Sequence, residues 1–387
     1  MGEQLKVALF TDGIWPFVIG GMQKHSYCLV KYLARIGVKV HLYHTLKGKS
    51  FEETYQTIFT EEELSNIEII SVVYPSNKYF PGHYLYESYL YSKNLYKRFK
   101  LFAQQYELIY IQGFSGWYTL QKEYKNRMFP PCILNFHGLE MYQQAASLKT
   151  WLEQIMFRPF VRKLLHTADY AQSLGGKLTE ILIKNGIPST KIIELGIGIE
   201  SSWLARNQSV INSRRVFTFI GRFERRKGIK ELTQVLKEQL PKFDFEFNFI
   251  GPISESKKIK SQHIIYHGLV KDQEYIKSIL QKTDFLVAPS YAEGMPTVIL
   301  EAMSSGCAVI ASDVGAVSEQ VSEKNGILIT PGDTKSLYKA LEKGIVMDAL
   351  SLQKMKQYSV QLIKEKFIWE IVIKKMITTF HLVISNH

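Results

Sequence analysis

Along the chain, short uninterrupted apolar runs alternate with longer stretches in which apolar residues recur every three or four positions. The runs read as buried parallel strands and the stretches as amphipathic helices. Lys6 to Phe10 is the first run; it ends in Thr11-Asp12-Gly13 and a loop through Trp15-Pro16 to Gly20-Gly21. From Gln23 to Ile36, the residues Tyr27, Val30, Leu33 and Ala34 fall at helical spacing, Gly37 stops the helix, and Val38 to Tyr43 is the next strand. Strand, glycine loop, helix and strand make a βαβ unit of the doubly wound kind.

The alternation continues with strands predicted at Ile67–Val73, Leu108–Gln112, Cys132–Phe136 and Lys191–Leu195, and helices at Tyr84–Gln105, Lys149–Leu165 and Lys177–Lys184. Ser201 to Arg215 is polar and weakly patterned, and reads as a linker. Beyond it the pattern restarts. Strands are predicted at Val216–Ile220, Phe245–Ile250, Ile264–His267, Phe285–Ala288, Ala308–Ala311 and Gly326–Ile329, with helices at Ile229–Leu240, Asp272–Gln281, Thr297–Ser305 and Thr334–Lys343. The expected fold is α/β: two doubly wound Rossmann-like domains, 1–200 and 201–365, facing across a cleft at the carboxyl ends of both sheets.

Composition agrees with two domains. The 387 residues exceed one ordinary domain, and 46% hydrophobic content supplies ample core, which excludes a disordered chain. A net charge of +12 and a pI near 9.3 favour anionic partners: nucleic acid, an anionic membrane face or a phosphorylated substrate. The basic residues are spread rather than gathered in a stripe, and no nucleic-acid motif accompanies them, so nucleic acid is not expected as a partner. Cys28, Cys132 and Cys307 are odd in number and widely spaced, which fits reduced thiols in a cytoplasmic protein. The start, Met1 to Lys6, runs straight into a strand without a signal-peptide pattern, and no apolar stretch reaches the ~18 residues of a spanning helix, so membrane contact is expected to be peripheral.

Four signals carry chemistry. Glu293 and Glu301 stand in Ser290-Tyr291-Ala292-Glu293-Gly294-Met295-Pro296-Thr297 and the helix that follows. The helix start offers N–H groups to a diphosphate, and a carboxylate further along can hold a ribose. A surface salt bridge explains either glutamate alone; the flanking Gly-Met-Pro favours the site. Gly221-Arg222-Phe223-Glu224-Arg225-Arg226-Lys227-Gly228 follows a strand, placing Arg222 and Lys227 where they can stabilise a departing diphosphate; a solvated basic loop is the plain alternative. His137 ends the strand Cys132–Phe136 and is followed by Gly138, at the lip of the cleft. Gly20-Gly21 before the first helix permits close approach to a phosphate, or is a tight turn.

In this order the motifs resemble those of the family 4 glycosyltransferases of GT-B architecture. The resemblance runs nearly end to end: Gly20-Gly21-Met22-Gln23-Lys24-His25, His137-Gly138, Gly221-Arg222, Lys227-Gly228, Glu293-Gly294, Glu301-Ala302-Met303, Gly306 to Ser312, Asp313-Val314-Gly315 with Glu319, Asn325-Gly326, and Phe367-Ile368-Trp369-Glu370. It implies a retaining enzyme that uses a nucleoside-diphosphate sugar, UDP-linked sugars among them, in cell-envelope, capsule or other polysaccharide synthesis. Arg222 and Lys227 would grip the diphosphate, Glu293 and His137 would face the donor sugar, and Glu301 would bind the ribose. Gly20, Gly21, Met22, Gly294, Met295, Pro296 and Thr297 would complete the donor site. Residues 366–387 would form a helix crossing back to the first domain. The sequence has no D-x-D triplet, and the cations can do a metal's electrostatic work, so no metal or other cofactor is expected. One departure stands out: Leu195-Gly196-Ile197-Gly198-Ile199-Glu200 replaces the family's Asn-Gly-Val-Asp-like run.

The stretch Lys78-Tyr79-Phe80-Pro81-Gly82-His83-Tyr84 to Lys100 is rich in tyrosine and base. With Lys149 to Lys163 it is a candidate contact for an anionic membrane, at the inner face of the plasma membrane, or for a lipid-linked acceptor; packing of its tyrosines on the sheet is the alternative. Two rival functions remain at this point, a nucleic-acid binder and a GT-B enzyme of another reaction, an epimerase or a phosphorylase.

Overall fold

The structure is a computed structural model that describes residues 4–45, 55–75, 80, 82–123, 129–205, 214–238, 240 and 242–387. Met1 to Glu3, Lys78, Tyr79, Pro81 and residues 206–213 of the predicted linker lie outside the described residues. Among the described residues, two parallel sheets are present.

The first is built from β1 (Lys6–Phe10), β2 (Lys39–His44), β3 (Ile67–Ser71), β4 (Leu108–Gln112), β5 (Cys132–Asn135), β6 (Tyr170–Ser173) and β7 (Ile192–Glu194) in the order β3-β2-β1-β4-β5-β6-β7. Its helices are α1 (Gly21–Arg35), α2 (Glu61–Leu64), α3 (His83–Phe99), α4 (Trp117–Glu123), α5 (Leu148–Thr167) and α6 (Lys177–Lys184). The second sheet holds β8 (Arg215–Ile220), β9 (Phe245–Ile250), β10 (Ile264–Gly268), β11 (Phe285–Ala288), β12 (Ala308–Ser312) and β13 (Gly326–Ile329) in the order β10-β9-β8-β11-β12-β13. With it go α7 (Ile229–Glu238), α8 (Gln273–Lys282), α9 (Thr297–Ser304), α10 (Val317–Gln320), α11 (Thr334–Val346), α12 (Ala349–Leu362) and α13 (Trp369–Ser385).

Both strand orders reverse direction once, between β1 and β4 and between β8 and β11. Those reversals open crevices at the strands' carboxyl ends, where open α/β sheets take ligands. The expected architecture is therefore present: two Rossmann-like α/β halves of a GT-B fold.

Several elements depart from the sequence expectation. The helix predicted to run to Gln105 stops at Phe99, and Ala103–Gln105 form a separate 3₁₀ turn. An unbroken helix would set Tyr106 about 10 Å along the axis from Phe99; the break lets the two rings stack with centroids 5.7 Å apart. Strand β6 went unpredicted because half of it is polar. Its Gln172 is buried yet satisfied, accepting from Tyr110 Oη at 2.7 Å and donating to the Leu195 carbonyl at 2.9 Å. The sequence pattern also gives no prediction for helices α2, α4, α10 and α12.

The chain crosses between the sheets twice, and the crossings pair with each other. Ile199 and Ile368 form a parallel bridge: Ile199 N–H donates to the Phe367 carbonyl at 2.7 Å and Trp369 N–H to the Ile199 carbonyl at 3.1 Å. From there α13 lies on the first sheet's helix layer. Val372, Ile373, Met376, Phe380 and Val383, three and four apart, share a core with Val7, Leu9 and Leu33, and Trp369 stacks on Tyr32 at 5.4 Å. Between the sheets a further apolar cluster is continuous, with Ile197 and Met295 joining Leu134 on one side to Ile299 and Leu300 on the other.

Candidate active site

The carboxyl ends of both sheets enclose a cleft of about 660 Å³. On the first sheet's side, β1 ends at Thr11 and Asp12. The Thr11 carbonyl accepts from Tyr91 Oη at 2.6 Å, and the Asp12 carboxylate accepts from Gln23 Nε2 at 2.8 Å. Burial raises the Asp12 pKa, and the Gln23 bond partly opposes it. Strand β5 ends at Asn135, whose Oδ1 accepts the His137 N–H at 2.7 Å. The turn that follows holds His137 at φ 58° and Leu139 at φ 45°, a left-handed conformation that side-chain-bearing residues rarely adopt. The strain aims the imidazole at the cleft. His137 Nε2 is buried without a partner, and burial pushes its pKa down to about 4, so the ring is neutral near pH 7. His25 of α1 packs edge-on against it with centroids 5.0 Å apart; both His25 ring nitrogens are likewise unpartnered, and burial holds it well below the usual range.

On the second sheet's side the groups are charged. Lys227 Nζ lies 2.6 Å from Glu293 Oε1, which also accepts from Ser290 Oγ at 2.6 Å. Arg226 stands 3.6 Å from Glu293 Oε2 and 3.3 Å from Glu140 Oε1, the latter reaching over from the first half. Arg222 also lines the cleft, with its side chain 72% exposed and paired to Glu224 at 3.0 Å. Gly228, at φ 66°, places this loop against the Pro289 carbonyl, where a β-carbon has no room. The cations are thereby fixed beside the Glu293 loop.

The two halves touch through backbone. A β-carbon on Gly138 would stand 3.3 Å from the Gly294 nitrogen, and one on Gly294 3.1 Å from the His137 carbonyl. Gln143 bridges the same gap, donating to the Glu293 carbonyl at 2.6 Å and accepting from the Glu293 N–H at 3.3 Å. Two helix N-termini face this space, α1 at Gly20-Gly21 and α9 at Pro296-Thr297. Neither has a side-chain cap or an acidic residue in its first turn. Helices α5, α8, α11 and α12 instead carry Ser147, Asp272, Asp333 and Asp348 as caps. Uncapped N–H groups and the positive end of the helix dipole suit an anion.

Of the residues singled out from sequence, His137, Glu293, Arg222, Lys227, Gly21, Met22, Gly294, Met295, Pro296 and Thr297 line the cleft together. Gly20 caps α1 behind it. Glu301 does not line the main cleft; it borders an adjoining recess with Thr297, where Lys24 of α1 holds it at 2.6 Å. Burial pulls the Lys24 pKa down, but Glu301 outweighs this and the ammonium stays above its usual value. In the departing loop, Leu195 is buried and Glu200 pairs with Lys31 at 2.9 Å. Sequence reasoning gave no role to Asp12, His25, Glu140, Gln143 or Arg226. Asp12 and Arg226 adjoined recognised signals; Gln143 stood in none.

Comparison with known proteins identifies the fold's class. Residues 19–201 match the model described as Glycosyltransferase Family 4, and residues 214–345 that described as Glycosyl transferases group 1. The chain belongs to the family 4 glycosyltransferases. It is 28% identical to the uncharacterized glycosyltransferase MJ1178 of Methanocaldococcus jannaschii over 92% of each chain. It is 29% identical to the putative teichuronic acid biosynthesis glycosyltransferase TuaC of Bacillus subtilis over 55% of this chain, a match spanning about half (54%) of TuaC. HepE of Anabaena, solved in complex with UDP-glucose, superposes with a TM-score of 0.67 at 15% identity, covering 99% of this chain and 100% of HepE.

Proposed function

We propose that the protein transfers a sugar from a nucleoside-diphosphate sugar to a glycan or lipid-linked acceptor, with retention of anomeric configuration and without a metal. The observation that carries this is the convergence of Lys227 and Arg226 on Glu293 beside the open α9 N-terminus, in a cleft that Arg222 and His137 also line. The diphosphate would lie between the α1 and α9 N-termini. As the glycosidic bond breaks, negative charge grows on the leaving diphosphate, and the fixed cations and N–H groups favour that state over the bound donor. Because these groups are protein cations, no divalent ion is needed for the same task.

Glu293, with Oε1 held by Lys227 and Ser290, presents its remaining lone pairs to sugar hydroxyls, and neutral His137 can donate one hydrogen bond to the donor sugar. Glu301 receives the ribose once Lys24 yields it. Retention follows if the acceptor attacks from the diphosphate's side and a diphosphate oxygen takes its proton. The match to TuaC favours envelope polysaccharide as the setting, and HepE favours UDP as the carrier. Among the described residues no helix is long and apolar enough to cross a membrane.

A thermal-shift panel of UDP, GDP, ADP and CMP in EDTA, on wild type and Lys227→Ala, tests the site. One nucleoside diphosphate should raise Tm by several degrees in wild type and little in the variant. If none shifts Tm in EDTA, the donor site is wrong; a shift that requires a divalent ion sinks the metal-free reading. NMR of the product decides the rest, since an inverted anomer or an epimerised donor would overturn retention or transfer.

A further inference from the structure

A helix packed on a globular core is expected to be polar on its outward face. Helix α5 is not. Its inward residues Val161, Leu164 and Leu165 are buried in the core, yet Leu148, Trp151, Leu152, Ile155, Met156 and Phe160 are between 39% and 74% exposed. At three- and four-residue spacing they form one outward stripe, and Phe160 ties it to Trp117 of α4 at 5.2 Å. Exposed Tyr84 and Tyr86 of α3 continue the apolar surface, with the Tyr84 ring 5.9 Å from Phe157. Lys149, Arg162 and Lys163 are exposed beside the stripe, and Glu153 is the helix's one acidic residue. The inner edge of α5 lines the cleft through Thr150, Glu153, Gln154 and Phe157.

We propose that the outward face of α5 docks on an anionic phospholipid bilayer, its apolar stripe entering the headgroup boundary and its basic residues meeting lipid phosphates. A helix of 20 residues lying flat offers about 30 Å of such contact. Charge complementarity selects this occupant: four Lys/Arg against one Glu on the helix, in a chain of net charge +12. The tyrosine-rich α3 contributes only its first turn, because Tyr91 is buried and Tyr89 and Tyr96 pack on Trp117 and Tyr118. Docking sets the cleft mouth at the lipid surface, so an acceptor held by a lipid anchor reaches the site along α5. That last step rests on the proposed transfer; the docking itself does not.

The test is co-sedimentation of the full chain with phosphatidylcholine vesicles, with and without phosphatidylglycerol. Wild type should pellet with the anionic vesicles, and its tryptophan emission should shift to the blue, a shift lost in Trp151→Phe. Leu152→Glu with Ile155→Glu should cut partitioning at least tenfold at any salt. Arg162→Gln with Lys163→Gln should cut it several-fold at low salt only. Equal pelleting of the double-glutamate variant, or no pelleting of wild type, overturns the proposal. So does light scattering that shows a dimer which this variant makes monomeric, since a second copy would then cover the stripe. An unchanged circular dichroism spectrum and a cooperative melting transition in the variant confirm that it is folded. Vesicle binding without any nucleotide shift in wild type would leave docking standing and remove the transfer reading.

Discussion

The two walls of the cleft solve different problems. The second sheet's wall is a charge lattice: Lys227 and Ser290 hydrogen-bond to Glu293, Arg226 stands 3.6 Å from its other oxygen, and their loop is pinned by Gly228 against Pro289. The first sheet's wall is mostly aromatic and carries no lysine or arginine among its described lining residues: Tyr84, Tyr91, Phe114, Phe136 and the His25–His137 pair stand there beside the carboxylates of Asp12, Glu140 and Glu153. In the proposed transfer, the preformed charges would take a fixed chemical group, the diphosphate, and the wall of rings would take the acceptor. The difference teaches where rate and where stability are most exposed to change.

The largest effect should come from the charged wall. Lys227→Ala removes a cation from the leaving group and leaves Glu293 with one fewer partner, so kcat should fall roughly 10²–10³-fold. Exposed Arg222 should cost about tenfold less in the same steady-state assay. Equal losses would show that the lattice does not act through position.

The aromatic wall should instead reveal itself in stability against pH. His137 of this wall, and His44 at the end of β2 outside the cleft lining, have pKa values pushed down to about 4 by burial, below the unfolded value near 6.5. On acidification the unfolded chain takes the proton first. The stabilisation is therefore complete above about pH 6.5 and is lost as pH falls toward 4, by up to about 3 kcal/mol per histidine. Urea midpoints between pH 7 and 4.5 check this, and His44→Asn should flatten the slope whatever it does to the midpoint at pH 7.

The seam between the walls should respond moderately. Gly294→Ala presses a methyl on the His137 carbonyl, so turnover should drop about tenfold while the nucleotide-induced shift in Tm persists. Loss of both would mean the seam is part of the nucleotide site itself. The smallest effect belongs to the Lys24–Glu301 pair. Lys24→Met frees Glu301 for the ribose and should tighten UDP binding a few-fold by calorimetry; weaker binding would make Lys24 a donor contact instead.

The contrast also explains what could be read from the sequence. The charged wall is written in two short segments, Gly221 to Gly228 and Ser290 to Glu301, each following a clean apolar strand, so its residues were legible as neighbours. The aromatic wall draws Asp12, His25, Tyr91, His137 and Gln143 from separate loops and helices. Gln143 bridges to Glu293 across 150 positions, which no local pattern encodes. Periodicity predicted α5 and left membrane contact and packing on the sheet as alternatives for it, because spacing alone could not say that Trp151, Leu152 and Ile155 face out. The α/β alternation carried the fold because parallel strands buried on both faces are apolar throughout; β6, with Gln172 and Ser173 satisfied inside, broke that rule and was missed.

The paired crossings at Ile199 and Ile368 have a bearing on how such enzymes diversify. The segment from 200 to 367 leaves and rejoins the rest of the molecule at two hydrogen-bonded neighbours, with Ile199 N–H 2.7 Å from the Phe367 carbonyl. Topologically it is an insert whose ends already meet. An exchange of that whole cassette between relatives would splice at one point in space rather than two, and the aromatic wall with its α13 buttress would receive a new donor preference without being rebuilt.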